Sequence, residues 1–156
     1  MNVVTLRLGG EMMALPAECL REILEPVPVT RVPQAGPFAP GLINVRGAVV
    51  PLADLRVALG MQPEAATEDT RMLVLDVPLA SGTGTVAILA DKVLDVTEMD
   101  MSKLDAIPGV GVRWPPEFLL GIGKWHGEFV ALPDLEKIFM SGAAQGAAAT
   151  ALEEGN

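Results

Sequence analysis

The side chains best suited to nucleophilic or acid–base catalysis in this chain are its one histidine, His126, and its one cysteine, Cys19. More than a hundred residues separate them. His126 precedes Gly127 in a predicted hairpin turn, where an exposed, solvated imidazole is expected. Cys19 lies in an apolar segment predicted as a helix, where a free thiol packs as a small hydrophobe. With these counts a zinc site of the usual His/Cys spacing cannot form, so no metal site is predicted.

Other patterns associated with catalysis are equally weak. The glycine clusters SGTGT (81–85) and GVGV (109–112) lack the Lys-Ser/Thr pair of a phosphate-binding loop and are predicted as turns. Glu98 and Asp100 fall in a polar loop, where a desolvated pair of carboxyl groups is not expected. The sequence therefore predicts a protein that is not an enzyme and that needs no cofactor.

The overall charge excludes two classes of binding partner. The net charge is −9 and no basic cluster occurs, which argues against nucleic acid and against an anionic membrane surface. The N-terminus MNVVTLRLGGEMMAL alternates like a strand and lacks the features of a signal peptide. A single cysteine suits a reducing cytoplasm. We expect a soluble cytoplasmic protein without direct membrane insertion.

Thirteen prolines and sixteen glycines interrupt the chain often, which predicts short elements. Short helices are predicted at Ala17–Leu24, Leu55–Leu59 and Leu135–Met140. Ten strands are predicted at Val3–Leu8, Glu11–Leu15, Pro28–Val32, Ile43–Arg46, Ala48–Leu52, Met72–Val77, Thr85–Ala90, Val93–Thr97, Phe118–Ile122 and Glu128–Leu132. Many short strands with frequent turns indicate barrels or sandwiches rather than a parallel α/β sheet.

One stretch recurs eighty residues later: GLINVRGAVVPLADL (41–55) aligns with GIGKWHGEFVALPDL (121–135). Both read as strand, glycine turn, strand and a short helix that Asp54 or Asp134 can cap. The repeat predicts two similar β-subdomains. Lys124 and His126 stand at the positions of Asn44 and Arg46, which mildly favours a specialised role for those two residues. The six identities are Gly41/Gly121, Gly47/Gly127, Val50/Val130, Leu52/Leu132, Asp54/Asp134 and Leu55/Leu135.

The first copy also resembles the signature of the CheW family, G-x-x-N-x-R-G-x-x-x-P-x-x-D-L, with seven fixed letters at the family's spacing. Further segments resemble the family, namely LRLGGEMMALPAECLREILEPVPVTRVP, TVAILADKVLDV and FLLGIGKWHGEFVALPDLEKIF, so the resemblance spans about residues 2 to 140. It implies an all-β fold with short helices, in which two small five-stranded β-barrel subdomains pack side by side. Residues 1–140 would form this domain and residues 141–156 a flexible tail.

The resemblance also implies a function. CheW-like domains are non-catalytic cytoplasmic adapters that couple the cytoplasmic tips of chemoreceptors to the regulatory domain of the histidine kinase CheA. The chain would be a monomer in isolation and part of a larger array. Two alternatives remain at this point: a CheW-like scaffold of a non-flagellar chemosensory pathway, and a small-molecule binding module.

The receptor-binding groove that the resemblance implies lies between the barrels. Glu22, on the predicted short helix, is expected to form an ion pair with Arg46, and Asn44 to order its own turn. Gly41 and Ala87 would be small so that a receptor helix can approach the backbone. Kinase binding is expected at a barrel end whose residues the sequence does not assign. The groove residues are Leu20, Glu22, Gly41, Asn44, Arg46, Ala87 and Val93.

Overall fold

The structure is a computed structural model that describes residues 1–62, 64–79, 82–100 and 115–140. The predicted tail (141–156) and the GVGV cluster lie outside the described residues. The two helices are α1 (Leu55–Ala58) and α2 (Leu135–Met140). The strands are β1 (Asn2–Leu8), β2 (Glu11–Pro16), β3 (Leu20–Leu24), β4 (Thr30–Arg31), β5 (Gly41–Val45), β6 (Ala48–Ala53), β7 (Arg71–Leu79), β8 (Gly82–Ala90), β9 (Lys92–Glu98), β10 (Leu119–Trp125) and β11 (Glu128–Pro133).

The strands form two sheets, which confirms the predicted fold class. One sheet has five strands in the order β10-β11-β2-β1-β9, and the other has six in the order β3-β7-β8-β6-β5-β4. The sixth strand is the two-residue β4, which pairs with β5. In the part of the chain that the structure describes, each sheet ends in two edge strands, so the sheets are open rather than closed barrels.

The buried apolar side chains of the described residues form three clusters, and one of them holds the two sheets together. The largest lies between the sheets and takes side chains from both, among them Leu6, Leu15, Leu75 and Ile88. A smaller cluster lies inside each sheet. Val3, Met12, Ala14, Met99, Val130 and Leu132 fill the five-stranded sheet, and Ile43, Val50, Leu52, Met72 and Ala87 fill the six-stranded one.

The strands that separate two of these clusters carry apolar residues on both faces, and they are β1, β2, β6, β7, β8 and β11. On β2, Met13 and Leu15 point to the central cluster while Met12 and Ala14 point into the five-stranded sheet. A strand buried on both faces reads as a continuous apolar run rather than an alternation. This explains runs such as EMMALP in β2, TVAILA in β8 and the equivalent runs in β1 and β7.

The internal repeat is confirmed, and it extends to whole subdomains. The order β5-β6-β8-β7-β3 in one sheet corresponds to β10-β11-β2-β1-β9 in the other. Parallel pairing joins β6 to β8 and β11 to β2 at equivalent places. The turn residues Arg46 and Gly47 have φ of 53° and 86°, and His126 and Gly127 have 51° and 79°. Positive φ at both central residues is the signature of a type I′ hairpin turn.

One predicted element is wrong. The segment Ala17–Leu24 is not a helix but a short 3-10 turn, Ala17–Cys19, followed by strand β3. Glu22 and Leu24 are half-buried while Ile23 between them is exposed, which is the alternation of a strand. The register shifts between Leu20 and Glu22, so that Leu20 and Ile23 oppose Leu75 and Leu73, which both belong to the central cluster. The backbone of β3 obtains its hydrogen-bond partners from β7, and this pairing overrides the local helix preference. Glu22 therefore lies on a strand.

Candidate functional site

The β5–β6 hairpin carries the two polar residues that the sequence singled out. Arg46 occupies the turn itself rather than the strand, and its side chain is 80% exposed. Its Nη1 donates a hydrogen bond to Glu22 Oε2 at 2.9 Å, and the Glu22 side chain is 22% exposed. The predicted ion pair between these residues is therefore confirmed.

The ion pair also shows how strongly the six-stranded sheet curls. Glu22 lies on β3, the first strand of the sheet, whereas Arg46 follows β5, the fifth. Contact at 2.9 Å is possible only if the sheet bends around its interior cluster and brings these strands face to face. An exposed pair of this kind contributes about 0–1 kcal/mol to stability. Most of the Arg46 guanidinium faces solvent, where a partner can reach it.

Asn44 has the structural role that its side chain suggested. Its Oδ1 accepts a hydrogen bond from the backbone N–H of Gly47 at 2.8 Å. This bond holds the two sides of the type I′ turn together and fixes the backbone from which Arg46 projects. Asn44 thus positions Arg46, and the side-chain oxygen of Asn44 is occupied by the hydrogen bond from Gly47.

Leu20 and Val93 lie on equivalent edge strands, β3 and β9. Both are half-buried and pack against the central cluster between the sheets. The same two strands also expose apolar side chains, Ile23 on β3 and Val96 on β9. Neither residue was among the predicted groove residues, and for Ile23 the reason is the predicted helix over Ala17–Leu24, which conceals the alternation of β3.

Gly41 and Ala87 are both buried, and their small size has a cause within the chain. A Cβ atom at Gly41 would lie 2.5 Å from the carbonyl oxygen of Thr30, so the close pairing of β4 with β5 requires a glycine. Ala87 is fully buried in the cluster inside the six-stranded sheet. The structure therefore places neither residue on the exposed surface beside Leu20 and Glu22.

Both predicted helix caps are present. Asp54 Oδ1 accepts a hydrogen bond from the N–H of Arg56 at 3.0 Å, and Asp134 Oδ1 accepts one from the N–H of Lys137 at 3.1 Å. The two aspartates are not equivalent, however. Asp54 is buried and also pairs with the side chain of Arg56, whereas the residue at the position of Arg56 in the second copy is the exposed Glu136.

Arg56 is the centre of a buried ionic network that the sequence analysis missed. Its residue exposure is 6%, and its Nε and Nη2 donate to the two carboxylate oxygens of Asp54 at 2.9 and 3.0 Å. Its Nη1 lies 3.5 Å from Asp91, whose other oxygen accepts the N–H of Gly9 at 2.7 Å. The hydrogen bonds that Arg56 donates to Asp54 raise the pKa of Arg56 above its usual value. The network joins α1 of one subdomain to the β1–β2 turn of the other.

A signal for this network was present in the sequence. Arg56 follows Asp54 by two residues within an apolar segment, a spacing that lets one carboxylate cap a helix and bind the arginine as well. The repeat adds a second signal, because Asp54 has its counterpart in Asp134 whereas Arg56 is replaced by Glu136.

Cys19 and His126 have different partners in the structure. The Cys19 thiol donates to the carbonyl oxygen of Pro16 at 3.0 Å, and burial raises its pKa to about 11, with the carboxylates of Glu18 and Asp76 adding to the effect. Such a thiol is a poor nucleophile at neutral pH. His126 is exposed in its turn and packs edge-on against Trp125.

Within residues 1–62, 64–79, 82–100 and 115–140, no group of three or more His, Cys, Asp or Glu side chains could hold a metal ion. Among the described residues no helix is both long enough and apolar enough to cross a membrane.

The sequence and the structure of this chain are similar to those of a known protein family. The family model for the CheW-like domain matches residues 2–143. The chain is 31% identical over 134 residues to a protein named Chemotaxis protein CheW from Klebsiella aerogenes, covering 86% of this chain and 78% of that protein. It is 27% identical over 140 residues to the Chemotaxis protein CheW of Rhizobium meliloti, covering 90% and 88%.

A solved structure is also similar. The crystal structure of the scaffolding protein TtCheW from Thermoanaerobacter tengcongensis matches with a TM-score of 0.78 and 22% sequence identity. The match covers 91% of this chain and 89% of that one. At this identity the likeness concerns the fold, and it agrees with the two sheets described above.

Proposed function

Because this chain belongs to the CheW-like domain family, we propose that it is a non-catalytic adapter of a chemotaxis-type signalling pathway, which couples chemoreceptors to a CheA-type histidine kinase in the cytoplasm. The observation that carries the proposal is the family match over residues 2–143, which includes both subdomains and the Glu22–Arg46 pair. The names of the relatives, chemotaxis protein and scaffolding protein, support the same role.

The receptor-binding surface in this proposal lies along β3 and β9, at the junction of the two sheets. Leu20 and Val93 provide half-buried apolar contacts there, and Ile23 and Val96 extend the apolar surface outward. A receptor helix would lay its apolar side along these strands, as in other helix-in-groove complexes. Arg46, with its exposed guanidinium, provides the polar contact at the rim.

The remaining groove residues hold the residues of this receptor-binding surface in position. Glu22 holds the Arg46 side chain against β3, and Asn44 holds the turn that carries it. Gly41 permits the close approach of β4, and Ala87 packs beneath the strands. Substitution of these residues would displace the side chains that contact the receptor and would weaken receptor binding in this way.

An adapter needs a second surface for the kinase, and we place it at a hairpin end away from Arg46. Phe129 on β11 is 66% exposed, the highest exposure of any large apolar residue in the described ranges. The Lys124 Nζ lies 5.3 Å from the centre of its ring. An exposed aromatic residue beside a cation is typical of an interface anchor.

The test of the proposal compares two charge changes in equivalent turns. Arg46→Glu places a second carboxylate beside Glu22 and removes the exposed cation, so affinity for a receptor tip fragment should fall about tenfold or more, which corresponds to about 1.4 kcal/mol. Affinity for the CheA regulatory domain should stay within about twofold. His126→Glu, at the same position of the second turn with nearly the same φ, is the matched control for receptor binding and should change receptor affinity by less than about twofold. It is not a control for kinase binding, because this turn belongs to the hairpin that carries Phe129.

Each binding measurement is made by calorimetry on variants whose circular dichroism shows that they are folded. Equal losses for receptor and kinase in Arg46→Glu would mean that Arg46 supports the fold as a whole. Loss of kinase binding alone would mean that the receptor surface lies elsewhere. Absence of binding of the unmodified protein to both partners would overturn the adapter proposal.

A further inference from the structure

The repeat creates two equivalent positions at the junction of the sheets, and an arginine fills the first. Asp54 and Asp91 hold Arg56 there, with Asp91 in the one-residue connection between β8 and β9. Asp134 is the counterpart of Asp54. The connection between β2 and β3 is the counterpart of that between β8 and β9, and it contains Glu18.

Among the residues that the structure describes, the second position is an open groove rather than a filled site. It has a volume of about 520 Å³ and will be called the acidic groove. Glu18, Asp134 and Glu136 all line it, so the counterparts of both arginine-binding carboxylates are present, and a third carboxylate stands where Arg56 stands in the first copy. The other lining residues are Pro16, Cys19, Asp76, Val77, Pro78, Leu120, Pro133 and Leu135.

In the part of the chain that the structure describes, only Asp76 among the acidic residues that line the groove has a basic partner. Arg21 lies 3.5 Å from Asp76, and both side chains are largely exposed. Within the described ranges no lysine or arginine lies within ion-pair distance of Glu18, Asp134 or Glu136. The raised pKa of Cys19, caused first by burial and then by Glu18 and Asp76, agrees with a negative potential in the groove.

The lining also has an apolar side. Val77, Pro78 and Leu135 form part of it, and Leu120 is a half-exposed leucine on β10. A ligand that fits this groove must combine a cation with apolar surface. A hydrated metal ion lacks the apolar surface, and a purely apolar segment would leave the carboxylates without a counter-charge.

We propose that the acidic groove binds an arginine side chain presented by an apolar segment of a partner protein. The first copy shows the geometry that such a guanidinium adopts, with Nε and Nη2 of Arg56 bonded to the two oxygens of one aspartate. Arginine is preferred to lysine, since only a planar guanidinium makes this bidentate contact. The site is additional to the receptor surface, because its lining includes neither Leu20, Glu22 nor Arg46.

The test uses a pair of peptides that differ in one charge. An acetylated six-residue peptide of sequence Ser-Leu-Leu-Arg-Leu-Ser is titrated into the ¹⁵N-labelled protein and followed by NMR, and the same peptide with citrulline in place of arginine is the control. Citrulline has nearly the same shape and no charge. We expect the arginine peptide to shift the amide signals of Glu18, Cys19 and Glu136, and to bind at least about tenfold more tightly than the citrulline peptide.

Variants of the protein complete the test. Glu136→Arg should fill the groove from within, as Arg56 fills its counterpart, and abolish peptide binding in a protein of equal or higher melting temperature. Glu136→Gln, which keeps the size of the side chain, should weaken binding only partly, and Arg46→Glu should leave it unchanged. Equal affinity for both peptides, absence of saturable binding, shifts confined to another face, or full binding by Glu136→Arg would each overturn the proposal. The Arg46→Glu result separates this site from the receptor surface.

Discussion

Removal of the Arg56 guanidinium should destabilise the protein more than any surface change in the same helix. Arg56→Met keeps an unbranched apolar stem and removes the charge. The Asp54 carboxylate then stays buried and keeps only the N–H of residue 56 as a partner, because both of its side-chain hydrogen bonds come from Arg56. The loss of Arg56 costs less at Asp91, because this carboxylate is partly solvated and still accepts a hydrogen bond from the N–H of Gly9.

The expected cost follows from the burial of the pair. Breaking a buried ion pair by removing one partner costs about 3–5 kcal/mol, because the remaining charge is left without compensation. This is a large part of the roughly 5–15 kcal/mol by which a domain is stable. The double variant Asp54→Asn/Arg56→Met should be more stable than Arg56→Met alone. Asparagine retains an oxygen that can cap the helix but leaves no unpaired charge.

The assay is equilibrium unfolding in urea, with the midpoint compared at constant slope. The matched control is Glu136→Met, at the equivalent position of the second copy, where an exposed side chain should change stability by less than about 0.5 kcal/mol. A cost below about 1 kcal/mol for Arg56→Met would refute the reasoning, as would a double variant less stable than the single one.

Two further predictions concern residues whose roles the structure has redefined. Gly41→Ala should lower the free energy of unfolding by about 1–3 kcal/mol, because its Cβ would lie 2.5 Å from Thr30 O; unchanged stability in urea together with lost receptor binding would contradict this reason. Cys19 has a folded-state pKa of about 11 against 9.0, so its contribution to stability is fully present below pH 9 and is lost as pH rises through about 11. At pH 8 iodoacetamide should therefore alkylate it roughly a hundredfold more slowly in the folded than in the urea-unfolded protein, and equal rates would exclude the shift.

Most of the fold could be predicted from local sequence patterns. Type I′ hairpins, glycine turns and aspartate caps depend on a few neighbouring residues, so the repeat around Asp54 and Asp134 was readable at once. The segment after Pro16 was not, because its state depends on pairing with β7 more than fifty residues later. The local helix or strand preference of a segment contains no information on a pairing strand so distant in sequence.

The candidate site was predictable to a smaller extent, for a related reason. The Glu22–Arg46 pair came from a resemblance, since no local pattern brings β3 to the β5–β6 turn. Gly41 was correctly singled out as a residue that must be small, but the backbone that approaches it is Thr30 of the same chain. The spacing of Asp54 and Arg56 indicates their own pair, but Arg56 and Asp91 meet only when the two subdomains are assembled, so no single segment predicts that contact.

The strand order has a consequence for the path by which the chain folds. The six-stranded sheet uses one continuous segment, β3 to β8, whereas the five-stranded sheet joins β1 and β2 to β9, β10 and β11. Met13 must pair with Ala131, more than a hundred residues further along. Contacts so distant in sequence slow folding, and a ribosome releases the first hairpin long before its partners exist. We expect the β3–β8 unit to form first, with the apolar β1–β2 hairpin resting against it through the central cluster until the last strands arrive.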